Sequence, residues 1–208
     1  SQRPSLLRKF IHRLAENPIT FMVLRNLLDG GFREQKRVVR ERFRPNPGEK
    51  ILDIGCGTGE FSVFFEPAAY TGVDIGKSYI DHARKKYAGT FHCADATQLP
   101  FPDFSFDKIL IAGVLHHMDD ATSVKVLAEA RRVLKRDGQM LVLEDVDRPE
   151  DGFITRTIHR LDEGKYIRRS HEYRALIGGY FGIVHEFNIK SGVCPYQVFI
   201  LKSVQPDK

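Results

Sequence analysis

From residue 50 to residue 145 the chain alternates short apolar runs with stretches of helical period, and this alternation narrows the fold more than any other feature. The runs are Lys50–Ile54, Tyr70–Asp74, Thr90–Ala94, Phe106–Ala112 and Gln139–Glu144. All but the third are nearly continuous in apolar residues, as strands covered on both faces are. Between them Gly59–Phe65, Ser78–Tyr87 and Ala121–Leu134 read as helices. The last of these sets Val124, Leu127, Ala130, Val133 and Leu134 on one face. Asp119 or Asp120 can cap its start, and "KRDG" closes it with basic residues and Gly138. Strands separated by helices need crossover connections, which predicts a parallel α/β sheet with helices on both faces.

The flanks follow other patterns. After residue 145 the chain is polar and irregular, and a helix is predicted over Ser170–Tyr180. Two strand candidates follow, Gly182–Ile189 and Tyr196–Lys202, too close together for a helical crossover. They should pair as an antiparallel hairpin at one edge of the sheet. At the start, Leu6, Leu7, Phe10, Ile11 and Leu14 form an apolar stripe, with Arg8, Lys9, His12 and Arg13 largely outside it. A second helix is predicted over Arg33–Phe43, before the breaker "RPNPGEK". Residues 1–45 are therefore read as a helical lid or substrate segment. Residues 46–208 are read as the main domain, with 147–180 as a substrate-side insertion and helix.

A chain of 208 residues can bury one sizeable core. No apolar run approaches the ~20 residues that span a bilayer, and the start lacks the apolar core of a signal peptide. Cys56, Cys93 and Cys194 are widely spaced, which predicts neither a disulfide framework nor a metal site, and a cytoplasmic location. The net charge of +5 is uneven: residues 1–50 hold 12 Lys/Arg against 5 Asp/Glu, whereas residues 51–147 hold 10 against 15. Basic flanks favour anionic partners such as a phosphate, a carboxylate, anionic lipid or RNA, or are simply solvated surface.

"ILDIGCGTGEFS", residues 51–62, sets three glycines in a turn between the first strand and the next element. Glycines there let the backbone approach a ligand, which in an open parallel sheet lies at the carboxyl ends of the strands. The spacing is GxGxG rather than the GxGxxG that cradles a pyrophosphate, and Asp53 precedes it. A carboxylate at that strand end repels phosphate and suits a ligand with an ammonium and a sulfonium, which points to S-adenosylmethionine. Asp74 ends the second strand and can accept from both ribose hydroxyls. Asp95 follows the third and can accept from an adenine amino group, with the Ala96 N–H facing a ring nitrogen.

"ILDIGCGTGEFS", "GVDIGKSYIDHARKK", "ADATQLPFPDFSFDKILIAGVLHH" and "ARRVLKRDGQMLVLEDV" together resemble successive motifs of the class I S-adenosylmethionine-dependent methyltransferases. The likeness is strongest to the small-molecule, type 11 branch that is similar to quinone-biosynthesis enzymes. It covers roughly residues 48–146 and is consistent with the C-terminal hairpin. It implies a Rossmann-like sheet of seven strands in the order 3-2-1-4-5-7-6, with strand 7 antiparallel. It also implies a cofactor set of Asp53, Gly55, Cys56, Gly57, Gly59, Asp74, Ile75, Asp95, Ala96, Ala112 and Gly113, with S-adenosylhomocysteine as product. Gly76 departs from the family, where many members carry Ser.

Methyl transfer from a sulfonium is an in-line displacement, for which the protein supplies orientation and a dry site. A general base is needed only where the acceptor must lose a proton. "GVLHHMDD" follows the fourth strand, and His116 and His117 are the base candidates. The resemblance favours His117, and one of the pair is read as packing or holding the loop. No "NPPY"-like tetrad and no Pro-Cys follow that strand, which argues against amino methylation of adenine or glutamine and against cytosine C5 chemistry. Acceptor contacts are sought in the unmatched segments, at Tyr166, Arg168 and His171, with His159, Arg169 and Tyr173 as further candidates. The predicted partner is a small-molecule acceptor, anionic or lipid-like, reached at a membrane surface through the basic first helix. That helix equally suits a lid on its own domain. The alternatives are an RNA or tRNA methyltransferase, for which no RNA-binding appendage is seen, and a non-catalytic cofactor-binding regulator.

Overall fold

The computed structural model describes residues 30–66, 69–152, 165–192 and 194–203. Seven strands form one sheet: β1 Ile51–Ile54, β2 Tyr70–Asp74, β3 Thr90–Cys93, β4 Phe106–Ala112, β5 Leu134–Asp145, β6 Phe181–Ser191 and β7 Cys194–Ser203. Their order is β3-β2-β1-β4-β5-β7-β6. β1 to β5 pair in parallel, and β7 runs antiparallel to both β5 and β6. Order, hairpin and direction are those the motifs imply.

Among the described residues four helices cover the sheet: α1 Arg33–Arg42, α2 Lys77–Lys86, α3 Asp120–Val133 and α4 Ser170–Gly178. Side chains alternate across each strand, so the central runs feed two cores. Leu52, Ile54, Ile109, Ile111 and Val142 face α3 and α4, where Val126, Leu127, Ala130, Tyr173 and Ile177 meet them. Ile51, Leu110, Leu141 and Leu143 face the other way, toward Val38, Val39 and Phe43 of the α1 region and Ile80 and Ala83 of α2. Fully burying one such side chain contributes roughly 1.5–3 kcal/mol. Asp119 caps α3 by accepting from the Thr122 N–H at 2.8 Å.

Two local expectations are corrected. Gly59–Phe65 is not an α-helix; Glu60–Phe64 is a 3-10 turn. The Ser62 hydroxyl and N–H both donate to the Gly59 carbonyl, at 2.6 and 3.1 Å, which tightens the turn, and Pro67 removes a donor that a longer helix would use. Gly138 does not end α3 either. That helix stops at Leu134, where β5 begins, and a Cβ at Gly138 would lie 2.6 Å from Leu134 Cδ1 and 2.9 Å from the Asp107 carbonyl. Gly138 is there for close packing inside β5. The predicted stripe over residues 6–14 lies outside the described residues.

Candidate cofactor site and transfer loop

β1 is only four residues long because the chain turns at its end: the Gly55 and Cys56 N–H groups both donate to the Val73 carbonyl of β2, at 2.7 and 3.0 Å. Gly55 has φ +74°, and a Cβ on it would lie 2.3 Å from Val114 Cγ2. Only glycine lets this loop lie against the one that follows β4. Gly59 is likewise left-handed, at φ +83°, with Phe91 Cε1 2.9 Å from a Cβ it does not have.

Asp74 ties the loops together. Its Oδ2 accepts from the Gly57 N–H at 2.9 Å and its Oδ1 from the Gly76 N–H at 2.7 Å. Burial raises its pKa, and the two N–H donors oppose that rise. The family departure at Gly76 has a local cause, since a Cβ there would sit 2.6 Å from Tyr79 Cδ2. Next to Asp74, Ile75 is 74% exposed, an apolar side chain presented at the site's rim.

Asp53 is 1% exposed, and its Oδ2 accepts from the Tyr70 hydroxyl at 2.6 Å. Burial raises its pKa to about 7, with the Tyr70 hydrogen bond opposing and the Asp74 charge adding to the rise. Asp95 is exposed, and its Oδ1 accepts from both the N–H and the hydroxyl of Thr97, at 2.8 Å each. Those bonds hold its carboxyl below the usual range. Burial pushes the Cys56 thiol up, and the nearby Asp53 and Asp74 charges add to this, so it is no nucleophile. Ala96 is half-buried beside Asp95.

Beyond β4, Ala112 and Gly113 lead into the loop that carries both histidines, and the Gly113 N–H donates to the Leu143 carbonyl at 2.8 Å. The loop is fastened by Glu144, at the end of β5. Its Oε1 accepts from the N–H groups of Val114 and Leu115 at 2.9 and 2.8 Å. Its Oε2 accepts from the His116 N–H at 3.3 Å and lies 2.8 Å from His116 Nδ1. Burial works to raise the Glu144 pKa, but His116 and the backbone donors hold it below the usual carboxylate range. His116 is 0% exposed, with Nε2 3.7 Å from Asp145 Oδ2. The base expectation for His116 is corrected: its imidazole belongs to the core. His117 faces outward, its ring 4.1 Å from that of His116.

Arg168 is also reassigned, since it is 6% exposed and all three guanidinium nitrogens are engaged. Nε and Nη2 donate to Asp120 Oδ1 at 2.9 and 2.8 Å, Nη1 to the Leu115 carbonyl at 2.8 Å, and Nη2 to the Met118 carbonyl at 2.7 Å. These contacts clamp the segment after residue 164 to the histidine loop. Tyr166 is 41% exposed, and its N–H donates to the His116 carbonyl at 3.0 Å, which sets it beside that loop. His171 is exposed on α4, away from these contacts, and Arg169 precedes the helix. Tyr173 is corrected to a core residue whose hydroxyl donates to the Asp145 carbonyl at 3.0 Å. His159 lies outside the described residues. Among the described residues no cluster of three His, Cys, Asp or Glu side chains is placed to hold a metal ion.

Sequence reasoning missed Glu144 and Tyr70. An acid closing the apolar run "MLVLED" was the available signal for Glu144; nothing local marks Tyr70 as the partner of Asp53.

A family described as a methyltransferase domain matches residues 51–138. A demethylmenaquinone methyltransferase of Thermotoga maritima is 36% identical over 143 residues, covering 65% of this chain and 60% of that protein. An O-methyltransferase of Penicillium expansum is 40% identical over 121 residues, covering 53% of this chain and 42% of the other. The chain spans about half the length of the curated relatives it matches. In structure it resembles a geranyl diphosphate C-methyltransferase of Streptomyces coelicolor, with a TM-score of 0.70 at 12% identity over 83% of this chain and 81% of that one. Sheet order, loop motifs and matched domain agree: over residues 51–138 the chain is similar to the class I S-adenosylmethionine-dependent methyltransferases.

Proposed function

We propose that the protein transfers a methyl group from S-adenosylmethionine to a small-molecule acceptor. The observation that carries this reading is the glycine loop pressed against Val114, with Asp53, Asp74 and Asp95 at the ends of three adjacent strands. That set is acidic and close to backbone, which fits a cationic, phosphate-free nucleoside. Bound there, the cofactor supplies an electrophilic methyl on its sulfonium and leaves as S-adenosylhomocysteine. Asp74 accepts from the ribose hydroxyls, Asp95 and the Ala96 N–H meet the adenine edge, and Ile75 packs against the nucleoside. The backbone of Gly55, Gly57, Ala112 and Gly113 cradles the amino-acid end above Asp53, with Cys56 and Gly59 shaping the loop. Glu144 and Arg168 hold the histidine loop in one position. His117 takes the proton from an acceptor that must lose one, and Tyr166 lines the acceptor's approach.

Quinone-type acceptors are the substrate class that the relatives' names favour. Peripheral membrane contact through the first helix and a cytoplasmic setting belong to the same proposal; the described cysteines are all free, and no described helix is long and apolar enough to cross a membrane. Calorimetric titration with S-adenosylhomocysteine and, separately, NAD tests the cofactor reading. Micromolar binding of the first and none of the second is expected. Binding of NAD alone would overturn it, and salt-sensitive binding of tRNA would favour an RNA substrate.

A further inference from the structure

The first turn of α1 carries a buried amide that has no hydrogen-bond partner among the described residues. Gln35 is 2% exposed, and among the described residues neither its Nε2 nor its Oε1 has a hydrogen-bond partner. Leaving such a group unpaired in a dry core is destabilising, and a helix position one turn before Val38 and Val39 has no structural need of it. A Leu or Met there would continue the apolar stripe into the same core.

Its place in the fold says what the amide is kept for. One position on, Lys36 Nζ pairs with Glu60 Oε2 at 3.2 Å, and the Phe32 ring lies 6.4 Å from that of Phe61. Both partners are in the turn that follows the glycine loop. On the other side, a Cβ on Gly30 would lie 3.5 Å from the Gly192 N of the β6–β7 hairpin. Because β6 runs parallel to β5, that hairpin stands at the carboxyl edge of the sheet. The first turn of α1, which carries Gln35, thus lies between the turn after the glycine loop and the β6–β7 hairpin, on the side of β1, β4, β5 and β7 rather than that of Asp95 after β3. Under the cofactor reading that is the amino-acid end, opposite the adenine.

An amino-acid head carries a carboxylate and an ammonium side by side, and a carboxamide answers both, with NH2 donating to one and C=O accepting from the other. Asp53, the acid beneath this end, already shares Oδ2 with Tyr70. We propose that Gln35 is a contact for the zwitterionic amino-acid head of the cofactor, reaching it from α1 while the glycine loop holds it from below. The inference rests on the cofactor reading above and adds a residue from outside the matched segment, 51–138.

Gln35→Met keeps the length of the side chain and removes the amide. Ligand-free, the variant should melt no lower than the wild type, because an unpaired polar group has left the core. Its affinity for S-adenosylhomocysteine should fall about tenfold, the loss of a hydrogen bond to a charged group. Its affinity for 5′-methylthioadenosine, which lacks the amino-acid head, should not change. Unchanged affinity for S-adenosylhomocysteine would overturn the inference, as would equal weakening of both ligands or a clearly lower melting temperature. Gln35→Ala gives the same contrast between the two ligands if the Met variant packs badly. A wild type that bound neither compound would remove the cofactor reading first, and this inference with it.

Discussion

On the β3–β2–β1 side of the carboxyl edge, polar groups are held largely by near neighbours in the chain; on the β4–β5 side they are held from far away. Asp95 is fixed by Thr97, and Asp74 by Gly76 and by Gly57 seventeen residues off. The histidine loop hangs instead on Glu144, 28 to 30 residues distant, and on Arg168, up to 53 residues distant. In the first half Asp74 is half-buried and Asp95 exposed, where a ligand can reach them, with Asp53 buried beneath, whereas in the second the groups that fasten the loop, Glu144 and Arg168, are buried. A recognition edge needs accessible acceptors. A transfer loop needs fixed geometry, because a displacement of about 1 Å at a reacting centre can cost on the order of a hundredfold in rate. Burying Glu144 under three backbone N–H donors and an imidazole supplies that rigidity.

Breaking the second half should have the largest effect. Glu144→Ala leaves His116 and three N–H groups without their acceptor in a dry core, at a cost of about 3–5 kcal/mol. The melting temperature should drop by about 10 °C. Asp95→Asn, the counterpart on the recognition side, should leave it within a degree or two while weakening adenosine binding. Thermal melts of the two variants, with a nucleoside titration of the second, check the contrast. Equal destabilisation by both would erase it.

Gly55→Ala tests the seam where the halves touch. The new methyl would combine a left-handed backbone with a 2.3 Å approach to Val114, for about 1–3 kcal/mol lost and a looser cofactor site. Denaturant midpoints and S-adenosylhomocysteine affinity should fall together. Adding Val114→Ala should restore part of both, because it removes the atoms in the way. No rescue by the second change would mean that backbone strain alone sets the cost.

The subtlest effect comes from Asp53. Its pKa in the folded chain is about 7 against about 4 when unfolded, so between those values the folded state holds a proton that the unfolded state has released. Its contribution to stability therefore falls as pH rises from about 4 to about 7, then stays level. Relative to wild type, Asp53→Asn should gain stability across that window and show a constant difference above pH 7, measured by melting at a series of pH values. A difference independent of pH would mean that Asp53 stays charged in the fold.

Much of this molecule can be read from local pattern. β2 and β4 have the predicted limits, because an apolar run bounded by turn residues is itself the physical cause of a buried strand. The glycine loop and its acids were legible for a similar reason: backbone conformation and charge at a strand end are properties of a few adjacent residues. Where local rules failed, a contact from elsewhere prevailed. Gly138 looked like a helix stop and is a packing site beside Leu134 and Asp107. Of the two adjacent histidines, Glu144, 28 residues away, takes His116 into the core. Arg168, a candidate acceptor contact in the sequence, closes on carbonyls of the histidine loop.

What the sequence determined by itself was the parallel sheet, its order through the family motifs, and an acidic, glycine-lined edge at the ends of its first strands. Only the tertiary structure decided which histidine faces outward, that Arg168 clamps the histidine loop, and that Gln35 carries an amide with no partner among the described residues. The reason is that burial and hydrogen-bond partnership are set by residues far apart in the chain, and no short window of sequence contains both partners.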